Sequence, residues 1–459
     1  MKKSCSMLTV FFVACLGVSA AADGPLDCGG RTARASAAWV RSAVVYEVFT
    51  RAFSKAGTFA EVEKALPRLK GLGVTVVWLM PIHKVGQLNR KGHLGCPYSV
   101  QDYYSIDPAY GGPDELKSLV KRAHGLGMRV VIDMVANHTA WDSVMMEKDK
   151  TFYTRVDGKV VAPVPDWTDT ADLDYGNPGL RRYMTDMLKH WVREFDLDGF
   201  RCDVANMIPL DFWEKAREEL EKIKPEILML AEGDWPQDHL AAFDLSYSWT
   251  FYEALIDVVV RGKPASWVAE AYAKEIAPFP KGALLMRFND NHDKVRAVNL
   301  FGDEGALLTA AVTLTVPGVP MLYNGQEIGD PVPSNDPALF EKYDILWDNH
   351  PPRIKRFDHL YRTLLALRAG SGALREGDIA FLATDRPDAV CAYSRTAGPE
   401  TVVAVANTTN RPVTVKVGGS GAPLPEGLKR LYPADGAATL APGAALDLRP
   451  FEFLLFGRR

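Results

Sequence analysis

Several things are scarce in this chain, and each scarcity narrows its role. No charge of either sign is in excess: 53 Lys and Arg face 57 Asp and Glu, a formal net charge of −4. That balance offers no basic surface for nucleic acid and no polybasic membrane anchor. Cysteine is sparse. Of six, Cys5 and Cys15 lie in the first residues, and Cys28, Cys96, Cys202 and Cys391 are widely spread without metal-ligand spacing. This argues against both a structural metal cluster and a disulfide framework. Cys202 falls inside an apolar run and reads as a small buried hydrophobe. Long hydrophobic runs are missing too. Met7 to Ala14 is too short to span a bilayer as a mature helix.

That run does have a reading. Lys2 and Lys3 precede it and Val18-Ser19-Ala20-Ala21-Ala22 follows, the order of a signal peptide over residues 1–22. Phe12-Val13-Ala14-Cys15 also has the form of a lipoprotein cleavage box. A soluble exported protein, periplasmic or secreted, is therefore expected, with lipid anchoring through Cys15 as the alternative. The remaining composition, 47% hydrophobic and 24% charged, is that of a globular protein, and 459 residues exceed one compact core.

What the chain has in quantity is alternation. Ala43 to Phe49 (AVVYEVF) predicts a first strand. Thr58 and Glu61 predict a capping box, and Phe59, Val62, Leu66 and Leu69 fall on one helical face. Gly71 and Gly73 end that helix before a second strand, Val74 to Leu79. Pro113 starts the next helix, Gly125 and Gly127 end it, and Met128 to Val135 is a third strand. Five more strands are expected at 199–203, 227–232, 243–247, 284–289 and 319–323. Eight strands separated by helices predict an α/β fold, a parallel (β/α)₈ TIM barrel. The barrel is expected over residues 23–138 and 178–368. A weakly periodic stretch, residues 139–177, predicts a short inserted B domain after the third strand. From residue 372 to 459 the composition turns to Val, Thr and Gly with period-two alternation, predicting an all-β sandwich domain.

Three carboxylates close or follow the later strands: Asp203, then Glu232 about 30 residues on, then Asp293 about 60 beyond, the spacing of one and two βα units. Strand C-termini are where this barrel carries function. Acids there suit glycoside chemistry, which needs one ionised and one protonated carboxyl group. Arg201, two residues before Asp203, is expected to face the same way and to touch it. Glu232 follows Met229-Leu230-Ala231, an apolar strand end expected to desolvate it and favour its protonated form. Trp141, Trp167 and Trp235 could stack on sugar rings or fill a small core.

Asp133-Met134-Val135-Ala136-Asn137-His138, Gly199-Phe200-Arg201-Cys202-Asp203, Ala231-Glu232 and Asn291-His292-Asp293 resemble the four ordered signature regions of the α-amylase family of retaining glycoside hydrolases. Asp172-Leu173-Asp174 resembles that family's motif in the inserted domain, and Gly318 to Glu327 (GVPMLYNGQE) its last-strand motif. The resemblance implies that Asp203 is the nucleophile, Glu232 the acid/base and Asp293 the transition-state stabiliser. It implies that Tyr98, His138, Arg201 and His292 hold the attacked glucose. A family calcium site would use Asn137, Asp172 and the Met207 carbonyl, while no organic cofactor is implied. Two departures stand out: Cys96-Pro97 precedes the stacking tyrosine in place of His-Gly, and Asn206-Met207 stands where many members have Lys-His.

The expected function is hydrolysis of α-1,4 bonds in starch or maltodextrins, with an α-glucan oligosaccharide or polysaccharide as partner. Transglycosylation and α-1,6- or sucrose-type substrates are alternatives within the family. A non-catalytic glucan-binding barrel is disfavoured because all three acids are present.

Overall fold

Eight apolar segments close into a parallel barrel in strict sequence order: β1 (Val45–Val48), β2 (Val76–Leu79), β3 (Arg129–Met134), β4 (Gly199–Cys202), β5 (Leu228–Ala231), β6 (Leu245–Tyr247), β7 (Leu284–Arg287) and β8 (Val319–Tyr323), with β8 returning to β1. The computed structural model describes residues 24–418, 424–434 and 439–458. The expected signal peptide, residues 1–22 with Cys15, lies outside them. Each expected barrel strand is present and trimmed by a residue or more at its ends, β8 excepted.

The strands read as continuous apolar runs because both faces are covered, one by the barrel interior and one by the helices. Helix Phe59–Leu72 shows how the outer layer is held. Phe59, Val62, Leu66 and Leu69 are fully buried, each worth about 1.5–3 kcal/mol against remaining in water. Gly73 ends it in the left-handed conformation (φ 109°). The expected capping box is not formed. Thr58 occupies the cap position without a side-chain bond, and Glu61 pairs with Lys64 instead. At the next helix, Pro113–Gly125, the box acid does act, with the Gly112 amide donating to Glu115 Oε2 at 2.8 Å.

Two excursions leave the barrel rim. An antiparallel hairpin, His83–Val85 with Val100–Ile106, lies in the β2 connection and has no counterpart in the sequence reading. After β3, His138–Ala140 pairs with Thr170–Asp172, enclosing a short helix and a two-stranded ribbon. Beyond helix Pro351–Gly370 the chain forms an all-β unit. Its six-stranded sheet runs β9 (Asp378–Phe381), β10 (Val390–Ala397), β11 (Glu400–Asn407), β16 (Phe453–Arg458), β13 (Leu428–Tyr432) and β14 (Thr439–Leu440). A second pair, β12 (Val413–Lys416) with β15 (Ala445–Leu448), packs on it around Val403, Val405, Val415, Leu454 and Phe456. Cys202 is buried in β4, and all four described cysteines are free thiols. No described helix is long and apolar enough to cross a membrane.

Candidate active site

Strands β1, β3, β4 and β5 each carry a charged residue, or end beside one, that faces the same end of the barrel. Gly199 opens β4 because nothing larger fits: a Cβ there would stand 2.0 Å from the Leu228 carbonyl oxygen of β5. Two residues on, Arg201 lies beside Asp133 of β3 in register. Its Nη1 donates to Asp133 Oδ1 at 2.9 Å and to Asp203 Oδ1 at 2.8 Å, and its Nη2 stands 2.9 Å from Glu232 Oε2 as an ion pair without hydrogen-bond alignment. The guanidinium is fully buried and boxed by the rings of Trp78, Tyr98 and Tyr247 at 5.3, 5.7 and 5.8 Å. One buried cation thus serves three carboxylates. The expected contact of Arg201 with Asp203 is present.

The turn between Asp203 and the next helix is strained. Val204, a β-branched residue, sits in the left-handed region (φ 39°, ψ 47°), which such residues avoid. The turn aims the Val204 amide at Glu232 Oε2, 2.7 Å away. Burial falls differently from the sequence reading. The side chain of Glu232 keeps 17% exposure against 9% for Asp203, so desolvation acts chiefly on Asp203. Burial, with the Glu232 and Asp133 charges, pushes the Asp203 carboxyl well above the usual aspartate range, and Arg201 opposes the shift. Burial also brings Asp133 up to about 6.

Asp293 approaches from the loop after β7. Its Oδ1 is 3.3 Å from His292 Nε2, and His292 Nδ1 pairs with Glu47, a fully buried acid of β1. Burial alone would lower His292, but the Asp293 and Glu47 carboxylates outweigh it and hold the imidazole up to about 9. Tyr98 stacks on His292 with ring centroids 5.3 Å apart, and its hydroxyl joins Asp133 Oδ2 (3.0 Å) to His292 Nε2 (2.8 Å). His138 is buried against Trp167 at 5.2 Å and lowered by burial to about 4, so it is a neutral imidazole at working pH.

A cavity of about 540 Å³ brings Asp203, Glu232, Asp293, Tyr98, His138 and His292 together, with Trp167 and Trp249 on its walls. Arg201 lies beneath them. Of the three tryptophans singled out in the sequence, only Trp167 lines this cavity among the described residues; Trp141 packs in the insert with its Nε1 on the Thr168 carbonyl. Other wall residues came unannounced. Lys91 crosses the mouth, donating to the Asp166 carbonyl, pairing with Asp169 at 3.5 Å and lying over the Phe340 ring, and so ties three loops together. Glu47 had a signal: it is the one acid inside the otherwise apolar first strand.

Asn137 and Asp172 meet, since the Leu173 amide bonds the Asn137 carbonyl and His138 pairs with Asp172. Burial raises Asp172 to about 6. Among the described residues no group of three or more His, Cys, Asp or Glu could hold a metal. Asn137, Asp172 and the Met207 carbonyl would together be three of the six to eight oxygen ligands that a hard cation seeks. At the departure Asn206-Met207, Asn206 donates to Asp238 Oδ2 at 2.7 Å and fills the space a Cβ on Gly233 would need.

The directions of these shifts imply a pH profile. The acid limb of kcat/KM is expected above the usual aspartate range, where the buried Asp203 and Asp133 take up protons, and the alkaline limb at about 9, where His292 loses one. Glu47→Gln should move only the alkaline limb, downward by about one unit, because it removes one close negative charge. An unmoved limb would detach His292 from activity.

A family model described as alpha amylase, catalytic domain, matches residues 47–170 and 165–345. Among solved structures, the chain is similar to a noncanonic maltogenic alpha-amylase from Thermotoga neapolitana (32% identity, TM-score 0.82, 91% of this chain and 99% of that one). It is also similar to an alpha-amylase from Lactobacillus plantarum (31% identity, TM-score 0.79, 92% of this chain and 99% of that one). A cyclomaltodextrinase from Geobacillus thermopakistaniensis is 28% identical over 472 residues, covering 91% of this chain and 77% of the relative.

Proposed function

Because the chain belongs to the α-amylase family, we propose that it hydrolyses the α-1,4-glucosidic bonds of starch or maltodextrins with retention of configuration. The observation that carries this reading is the shared guanidinium. Arg201 joins Asp133, Asp203 and Glu232 at the barrel mouth, with the His292–Asp293 pair across the same cavity. Tyr98 and His138 offer an aromatic wall and a neutral donor to the glucose being attacked.

In the first step Asp203 attacks the anomeric carbon while Glu232 gives its proton to the glycosidic oxygen, leaving a β-glucosyl ester on Asp203. Attack requires Asp203 as the carboxylate, and the aligned Arg201 hydrogen bond favours that form against the burial that raises it. Glu232, the more exposed of the two, is placed to exchange protons with water. Asp293, beside an imidazolium, stays near the developing oxocarbenium charge. In the second step Glu232 takes a proton from water, the water attacks the ester carbon, and the α-configuration returns. No step passes through a metal or an organic cofactor. The reading also keeps the protein outside the cytoplasm, supported by the Lys2–Ala22 segment.

A panel of α-glucans tests it. Starch, maltodextrins and cyclic α-1,4 glucans should be cleaved far faster than isomaltose or sucrose, and NMR of the first-formed product should show the α-anomer. Preference for isomaltose or sucrose would overturn the linkage assignment. Growth of longer chains when maltose is added would mark transglycosylation.

A further inference from the structure

On the opposite side of strand β7, at the junction of the barrel with the C-terminal unit, lies a second cavity of about 240 Å³ with an unbalanced charge. Arg41 and Lys281 are exposed at its rim, and Arg287 and Arg395 are buried in it, at 2% and 1% exposure. Arg375 completes the wall, and Glu376 is the only carboxylate on it.

Apart from Arg287, these cations make no ion pair among the described residues. Arg287 alone has a carboxylate partner, Glu275, and its Nη2 makes no hydrogen bond among the described residues. Arg395 reaches only carbonyls, donating to Gly377 O at 2.9 and 3.1 Å and to Thr315 O at 2.6 Å. Arg375 likewise donates to the Arg368 and Ala369 carbonyls. Arg41, Lys281, Arg375 and Arg395 form no salt bridge with any described carboxylate. Behind the wall stands Arg368, 1% exposed, bonded to the Leu314, Leu374 and Gly318 carbonyls with its Nε unpartnered. Burial, reinforced by Arg395 and Arg375, lowers Arg368 to about 9, and burial lowers Arg395 to about 10; both remain cations at neutral pH.

Carbonyl dipoles satisfy guanidinium donors but not their charge, and buried cations are costly without an anion. The space is below the ~300–1,000 Å³ of drug-sized ligand sites, so it suits a small anion. Guanidinium forks match phosphate-type oxyanions, which accept several charge-assisted bonds at once. We propose that this cavity is a binding site for a phosphate-type oxyanion, held between the rim cations Arg41 and Lys281 and the buried guanidinia of Arg287 and Arg395. The phosphoryl group is either free or carried on a small sugar. The site is separate from the glucan cleft and independent of the hydrolytic reading.

Isothermal titration of the full-length protein with inorganic phosphate, at ionic strength held constant with chloride, tests this. Saturable one-to-one binding is expected in the wild type, weakened at least tenfold in the double variant Arg41→Ala/Lys281→Ala. Both side chains are exposed, so the fold should survive, and maltodextrin hydrolysis without phosphate should be unchanged. Glucose 1-phosphate in a parallel titration separates the two sources: tighter binding than inorganic phosphate points to a sugar-borne group, equal or weaker binding to the free ion. No saturable heat, or equal affinity in the double variant, would overturn the site.

Discussion

Asp203→Asn should lower kcat/KM on maltodextrins by about 10⁴-fold or more, about 5 kcal/mol of lost transition-state stabilisation. The melting temperature should stay level or rise. The amide is nearly isosteric and keeps an oxygen for Arg201 Nη1, now 2.8 Å from the carboxylate. It cannot attack the anomeric carbon as a carboxylate does. The stability half follows from crowding, because three carboxylates share one guanidinium and burial pushes Asp203 up. An acid that binds its proton more tightly folded than unfolded loses stability as pH rises above the ordinary aspartate value of about 4. Asparagine is neutral throughout, so the variant should lose less stability than wild type between acid and neutral pH. Initial rates and calorimetry at several pH values check both halves. A fully active variant would move the attack to another group, and a sharply lowered melting temperature at neutral pH would show that Arg201 needs this charge.

Glu232→Gln should separate two substrates. Hydrolysis of natural glucans is expected to fall by about 10³-fold, within the usual range for losing a general acid–base group. Glycosylation by an aryl maltoside should fall far less, because an aryl oxygen leaves without a proton. Pre-steady-state release of nitrophenol isolates that first step from deglycosylation, which still needs the base. A burst followed by slow turnover is the expected trace. Equal loss in the first step for both substrates would contradict the acid role. The Val204 amide, 2.7 Å from Glu232 Oε2, can still donate to the amide oxygen of glutamine, which keeps the strained turn in place.

The barrel was legible because parallel strands buried on both faces leave uninterrupted apolar runs, and the charged residues that interrupt or end them stand out. Arg201, Asp203 and Glu232 are visible on that ground alone. Glu47 gave the same signal inside β1, but its meaning depends on β1 lying close enough to the loop after β7 for it to pair with His292, a contact 245 residues distant. Lys91, Asp169 and Phe340 were not legible. They come from loops after β2, β3 and β8 that meet only when the barrel closes, and loop residues carry no periodicity that foretells a partner. The Thr58–Glu61 motif shows the converse. A local pattern was present, yet Glu61 lies three residues before Lys64 on the helix surface and pairs there. The left-handed Val204 was invisible for a plainer reason: β-branched side chains disfavour that conformation, so only the surrounding packing imposes it.

The central claim is that Asp203 carries the glucosyl group through the reaction. Inactivation with a ring-fluorinated maltosyl fluoride, which slows release of the intermediate, followed by proteolysis and mass spectrometry, tests it most directly. The label is predicted on the peptide containing Asp203, with fragmentation placing it on that carboxyl group. A label on Glu232 or Asp293, or no covalent adduct during time-dependent inactivation, would contradict it.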